Sequence, residues 1–326
     1  MVIDNSLARP WLDRVYFEPL IRILPRSITP NTITISGLVA CLVMLAMLLS
    51  WEAPRALLAL VSALAIHAYT LADQLDGMQA RRTNRTSALG GFLDHACDFF
   101  NGQIIIWAAC LLVDAGAAWL IAVSSAYTLA FLTCHLEERT SGTLHFGAVG
   151  PLEGLLAVTL FLLVYSVAPK ALMTPLIAGF TAGHVLLFLY VVGLGWAALS
   201  VCLRLRSAFL PACGLPILAV CLAGAAALWS SGDTELFWLI QLGCGAIYAI
   251  GSLYPASPVV RALPVFPIGL LTLVVAALVE LKIIDAAMGI TAASLILGYA
   301  LLVLLAVAID VRRFFAAPPL GDVASG

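Results

Sequence analysis

The sequence predicts an all-α polytopic membrane protein of about ten transmembrane helices, preceded by an N-terminal interfacial amphipathic helix. Three observations carry this. Hydrophobic residues make up 63% of the 326 residues, and the mean hydropathy is +1.07. Charged residues make up 10%, against roughly 25% in soluble domains. The apolar residues also fall into runs of about 20, the length that crosses a bilayer core. The connections between them are too short for a soluble domain.

Residues 1–30 lack the continuous apolar stretch of a cleavable signal. They interleave Arg9, Arg14, Arg22 and Arg26 with Trp11, Val15, Tyr16, Phe17, Leu20, Ile21 and Leu24. That mixture suits a segment lying among lipid headgroups. Ten spans follow, at about 32–50, 55–80, 88–113, 115–134, 151–168, 174–203, 208–230, 234–253, 263–281 and 287–309. The second and third are charged at one end, the sixth is long enough to tilt or bend, and residues 313–326 form a tail. No internal repeat is visible. The eight cysteines form no CxxC pair and lie mostly in apolar runs, so they read as buried thiols. The net charge of −2 gives no ground for a nucleic-acid partner, and none is expected.

Basic residues orient the chain. With the N-terminus inside, the inner segments hold Arg9, Arg14, Arg22, Arg26, Arg81, Arg82, Arg85, Arg139, Arg204, Arg206, Arg261, Arg312 and Arg313. Only Arg55, Lys170 and Lys282 are left outside. Both termini should therefore face the cytoplasm.

Four aspartates then stand out: Asp73 and Asp76 near the end of the second span, Asp94 and Asp98 near the start of the third. Carboxylates inside a membrane chain are costly and persist mainly when paired, metal-bound or functional. On a helix, Asp73, Asp76, Gly77 and Ala80 form one stripe, and Gly90, Asp94 and Asp98 another. Two such stripes facing each other would gather four carboxylates around one cavity. Two divalent cations would neutralise them, and Mg²⁺ favours oxygen ligands shared with substrate phosphates. A pair of such ions about 4 Å apart clamps the attacking and leaving oxygens of a phosphoryl displacement. The small Gly77, Ala80 and Gly90 leave room for a ligand, and the Arg81 fork suits a phosphate. Taken singly, such acids also serve as helix-pairing groups or proton relays, and the arginines as inside-positive flanks.

The run Asp73-x2-Asp76-Gly77-x2-Ala80-Arg81-x8-Gly90-x3-Asp94-x3-Asp98 resembles the signature of the CDP-alcohol phosphotransferase family at every position. The stretches Asp76–Asn84, Asp94–Asp98, Pro30–Gly37, Glu137–Leu144 and Gly150–Gly154 are most similar to choline and ethanolamine phosphotransferases. The resemblance covers much of residues 1–206 by motif and the rest by topology. It implies a six-helix catalytic core at 31–206 and a four-helix region at 207–312, a candidate homodimer interface. It implies transfer of phosphocholine or phosphoethanolamine from CDP-choline or CDP-ethanolamine to the hydroxyl of diacylglycerol, giving phospholipid and CMP. Asp73, Asp76, Asp94 and Asp98 would bind two Mg²⁺, with Mn²⁺ as a substitute. Asn31, Gly77, Ala80, Arg81 and Gly90 would line the CDP-alcohol site.

His95 would be the proton acceptor, with Asp98 as the fallback. Imidazole changes protonation near working pH, and on a helix His95 lies about 60° from Asp98. Relatives using CDP-diacylglycerol usually carry proline here, so the histidine favours a lipid-alcohol acceptor. Choline and ethanolamine phosphotransferases typically carry glutamate one turn before this histidine. Here that position is Gly91, so another acid must supply the role or His95 is the weaker base. Tyr69 either faces the head group, where a quaternary ammonium favours an aromatic ring, or packs at the interface. Glu137 and Glu138 open a cytoplasmic loop that reads as a solvated connection, or, by the resemblance, as part of an active-site loop. Pro151 and Glu153 suit a helix first turn. His67, His135, His145 and His184 show no clustered partners.

Two alternatives stand beside this reading. One is a family member with another donor and acceptor, such as CDP-diacylglycerol and a soluble alcohol. The other is a cation-coupled transporter, although residues 207–326 carry no second array of the kind that repeated halves would show.

Overall fold

The structure, a computed structural model, describes residues 2–176, 179–210 and 282–316, with isolated positions between 217 and 279. A short strand β1 (Val2–Asp4) leads into two small helices, α1 (Arg9–Leu12) and α2 (Glu18–Ile23), separated by a π-helical turn over Asp13–Phe17. Long helices follow: α3 (Pro30–Ser50), α4 (Arg55–Thr83), α5 (Ala88–Leu112) and α6 (Gly116–Ser141). Strand β2 (Leu144–Phe146) pairs in parallel with β1. Then come α7 (Pro151–Val167), the short α8 (Pro169–Met173), α9 (Ala182–Leu205) and, among the described residues nearest the C-terminus, α10 (Ala286–Ala316).

Six of these helices are long and apolar enough to cross a membrane, and α7 is a shorter apolar helix of 17 residues. Their outward faces carry rows of exposed apolar side chains, such as Val39, Leu42 and Val43 on α3 and Phe188, Val192 and Trp196 on α9. Closed helices satisfy their own backbone and tolerate lipid on such faces, and patches this large are foreign to soluble monomers. The chain is an integral membrane protein. The expected spans 208–230, 234–253 and 263–281 lie outside the described residues except for isolated positions. The sixth expected span, 174–203, is shifted: α9 starts at Ala182, behind α8 and a turn. After strand β1 the N-terminal segment is helical without a break from Arg9 to Ile23, passing through the π-helical turn at Asp13–Phe17, with Pro10 in the first turn, where proline is tolerated. Its Phe17 and Ile21 are buried against Ile33, Leu75 and Leu152, while Trp11, Val15 and Ile23 are exposed.

Local sequence explains the helix ends. Thr29 caps α3 by accepting from the Thr32 amide at 3.2 Å, with Pro30 in the first turn. Ser87 caps α5 by accepting from the Gly90 amide at 3.0 Å. Asn84 and Gly142 close α4 and α6 in the left-handed region, at φ 54° and 74°. Glu153, in the first turn of α7, accepts from the Gly150 amide at 2.8 Å, as its position predicts. It also accepts from the Ala8 amide at 3.0 Å and from the Ser6 hydroxyl, so this cap also ties down the N-terminal segment.

Small residues let the helices close. A Cβ on Gly37 of α3 would lie 3.0 Å from Ala72 Cβ on α4. One cluster joins Cys41, Met44, Ala63, Ile66, Ala108 and Leu162 across α3, α4, α5 and α7. Another joins α10 to α5 and α6 through Phe99, Leu132, Ala300 and Val307. Gly102 is the tightest position: an added Cβ would lie 2.1 Å from Tyr127 Oη. Gly102→Ala should therefore displace Tyr127 and lower stability by about 1–3 kcal/mol. A thermal-unfolding scan of purified protein in detergent checks this, and an unchanged Tm would contradict the packing.

Successive antiparallel helices give the bundle two ends. At one end Arg55 pairs with Asp114 and Tyr165 Oη donates to the Leu112 carbonyl at 3.2 Å. At the other lie the β1–β2 ribbon, the N-terminal helices and the charged halves of α4 and α5.

Candidate active site

The aspartate stripes meet where the last third of α4 crosses the start of α5. Carboxylate oxygens of Asp73, Asp94 and Asp98 lie within 4.8 Å of one another. Asp76 stands beside them, buried and within electrostatic reach of both Asp73 and Asp94. Its Oδ2 accepts from Thr34 Oγ1 at 2.5 Å, which turns it toward α3.

Several groups hold these carboxylates in place. Tyr69 Oη donates to Asp98 Oδ1 at 3.0 Å, so this ring belongs to the carboxylate site. Tyr127 Oη donates to the Asp98 backbone carbonyl at 3.0 Å. The Gln74 amide donates to Asp73 Oδ2, and the amide oxygen accepts from Arg9. A guanidinium only donates, so Arg9 fixes which way the Gln74 amide points. Arg9 in turn lies 2.8 Å from Asp4, within the ribbon strand β1.

The residues expected to line the substrate site also converge. Arg81 Nη1 would lie 3.4 Å from a Cβ on Gly77, so its guanidinium folds back over that glycine. A Cβ on Gly90 would lie 3.3 Å from Asn31 Oδ1 and 3.2 Å from Ser87 Oγ. Asn31, on α3, therefore stands directly over Gly90, on α5. Ala80 is half-buried on the same α4 stripe, and its carbonyl accepts the Arg85 amide at 2.9 Å in the closing turn.

This donor set suits a hard divalent cation. It consists of carboxylate oxygens, and such ions take oxygen ligands. An octahedral ion with bonds of about 2.1 Å spans oxygens up to about 4.2 Å apart, so a small contraction of the trio would seat one.

The histidines differ from expectation. His67 Nε2 lies 2.7 Å from Tyr16 Oη, and His184 Nδ1 2.9 Å from Thr181 Oγ1. His135 meets His95 edge-on, with ring centroids 4.5 Å apart. Nitrogens of these two rings and a Glu138 oxygen lie within 4.8 Å of one another. Glu137 and Glu138 are not a solvated connection: both belong to α6. The Glu137 side chain is 2% exposed and accepts from Arg204 Nε and Nη2 at 2.5 and 2.7 Å, with His145 Nδ1 at 3.5 Å. Arg204 is thus the ion-pair partner of a buried glutamate as well as a basic flank. Gln74 was also missed, although its place beside Asp73 is a local signal. Arg9, Thr34, His135 and Glu138 reach the site from elements distant along the chain.

A family profile described as CDP-alcohol phosphatidyltransferase matches residues 27–192. The chain is 34% identical over 167 residues to Cholinephosphotransferase 1 of Gallus gallus, covering 49% of this chain and 50% of that protein. It is 35% identical over 159 residues to Cholinephosphotransferase 1 of Mus musculus, covering 46% and 39%. It is 31% identical over 181 residues to Uncharacterized CDP-alcohol phosphatidyltransferase class-I family protein 3 of Dictyostelium discoideum, covering 53% and 45%. The chain spans about half the length, or less, of these curated relatives. The matched stretch holds every aspartate of the site along with Asn31, Arg81 and His95, and on that match this chain belongs to the CDP-alcohol phosphatidyltransferase family.

Proposed function

We propose that this protein transfers phosphocholine or phosphoethanolamine from the CDP-alcohol to the hydroxyl of diacylglycerol, releasing CMP. The observation that carries the reading is the convergence of Asp73, Asp94 and Asp98, with Arg81 folded over Gly77 and Asn31 set over Gly90 at the same end of the helices. The similarity to proteins named cholinephosphotransferase supports this head-group class.

Asp73, Asp76, Asp94 and Asp98 would hold two Mg²⁺, for which Mn²⁺ would substitute. When bound, such ions neutralise the phosphates and polarise the bond that breaks. Arg81 holds a diphosphate oxygen, and Asn31 hydrogen-bonds the donor over Gly90. His95 takes the proton of the lipid hydroxyl. The hydroxyl oxygen attacks the phosphorus that bears the alcohol head group. A new P–O bond forms, the P–O bond to CMP breaks, and CMP leaves with the electron pair. Positioning and electrostatics are the main levers in such transfers. The lipid would enter sideways between helices, and the CDP-alcohol from the cytosol, the side to which the basic residues assign this end. Trp11, Val15 and Ile23, exposed on the N-terminal segment, would rest in the headgroup layer. Residues 31–206 would be the catalytic core and 207–312 the homodimer interface.

The test is a donor-by-acceptor matrix with purified protein, Mg²⁺ and labelled substrates. CDP-choline or CDP-ethanolamine with diacylglycerol should give labelled phospholipid and CMP. Turnover only with CDP-diacylglycerol and a soluble alcohol would move the reading to the other branch. No product in any cell of the matrix would overturn it. The matched family offers nothing in favour of the transporter alternative.

A further inference from the structure

We propose that Glu138 and His135, both on α6, are the positioning residues for the His95 imidazole, supplying from a neighbouring helix the carboxylate that position 91 does not. This rests on His95 as the proton acceptor in the reaction above.

The geometry is specific. His135 and Glu138 are three residues apart on α6 and so share a face. That face meets His95 on α5, with the three ligand atoms within 4.8 Å. His135 is itself fixed. Its ring stacks on Phe131 with centroids 4.1 Å apart, and its Nδ1 lies 2.9 Å from the Phe131 carbonyl. A carbonyl only accepts, so Nδ1 carries the proton of the neutral ring and Nε2 is left as an acceptor. The Glu138 carboxylate is an acceptor as well. His95 therefore faces two acceptors, which a neutral imidazole satisfies with one N–H and the protonated ring with two. Such surroundings hold the ring in one orientation and match it once it has taken the hydroxyl proton. A water or a small rotation of the flexible Glu138 side chain closes the remaining gap.

Gly91 provides the complementary test. It lies one turn before His95 on the same face of α5, it is exposed, and an added Cβ would meet nothing within 4 Å. A glutamate there has room to reach the ring from the other direction.

The experiment compares wild type, Glu138→Gln, and Glu138→Gln combined with Gly91→Glu. Each is assayed for kcat and donor KM in the preferred substrate pair, and for Mn²⁺ binding by EPR without substrate. Glu138→Gln should lower kcat about ten- to hundredfold, the range for losing a group that orients another, with donor KM and Mn²⁺ affinity unchanged. Adding Gly91→Glu should restore at least tenfold of that loss, which a merely structural role for Glu138 would not allow. Unchanged kcat in Glu138→Gln overturns the proposal. So does a loss that Gly91→Glu leaves unrepaired, or a transition metal retained by chelator-washed wild type and lost in Glu138→Gln, which would make the trio a metal site. If wild type transfers nothing, it is the underlying reaction that fails, and the two outcomes are distinct.

Discussion

Asp94→Asn should reduce turnover by about a thousandfold or more, in line with removing a preorganised electrostatic contact from a reacting phosphate. The physical reason lies in the trio. Asp94 shares its site with Asp73 and Asp98, within 4.8 Å, and asparagine keeps the shape while removing the charge. The same substitution relieves repulsion among carboxylates crowded into a poorly solvated site. Metal-free protein should therefore unfold at an equal or higher temperature than wild type, while the rise in Tm on adding Mg²⁺ should shrink. Together these separate a lost ligand from a damaged fold. Activity within tenfold of wild type would count decisively against a metal site at this position.

His95→Ala should lower kcat about a hundred- to ten-thousandfold, the range for removing a general base, while Mn²⁺ binding and donor KM stay close to wild type. The ring sits next to Asp94 in sequence, yet its packing partners are His135 and Glu138 on α6. Its removal therefore leaves Tyr69, Gln74 and Thr34 to hold the aspartates as before. Loss of donor binding would assign His95 to substrate contact. Full activity would pass the proton to Asp98, the other group at the same end of α5.

Much of the site was readable because helical period does the work. Asp73, Asp76, Gly77 and Ala80 must share a face if α4 is a helix, and so must Gly90, Asp94 and Asp98 on α5. Nothing beyond 3.6 residues per turn is needed. Caps were readable for the same local reason: Pro151 and Glu153 stand in the first turn of α7 as their types require. The N-terminal segment was less so. Its composition described an amphipathic helix and the run over 9–23 is helical, but Phe17 and Ile21 face a protein core, which composition does not reveal. Glu137 was misread because a charged pair beside a span looks solvated until Arg204 arrives from α9 to satisfy it. His135 escaped notice because its partner lies on another helix, and separation along the chain gives no sign of a ring contact.

The sequence by itself determined the membrane class, the antiparallel helix order and the two aspartate stripes, since hydropathy, charge asymmetry and helical period are properties of short stretches. The tertiary structure alone decided how the stripes face each other. Asp76 turns to Thr34 while the other three aspartates converge, because α3 is packed tightly enough at Gly37 to bring that hydroxyl within reach. It also decided that Arg9 reaches Asp73 through Gln74, and that His95 looks onto Glu138. Those are contacts between segments tens of residues apart, and only the packing of one helix against the next can bring them together.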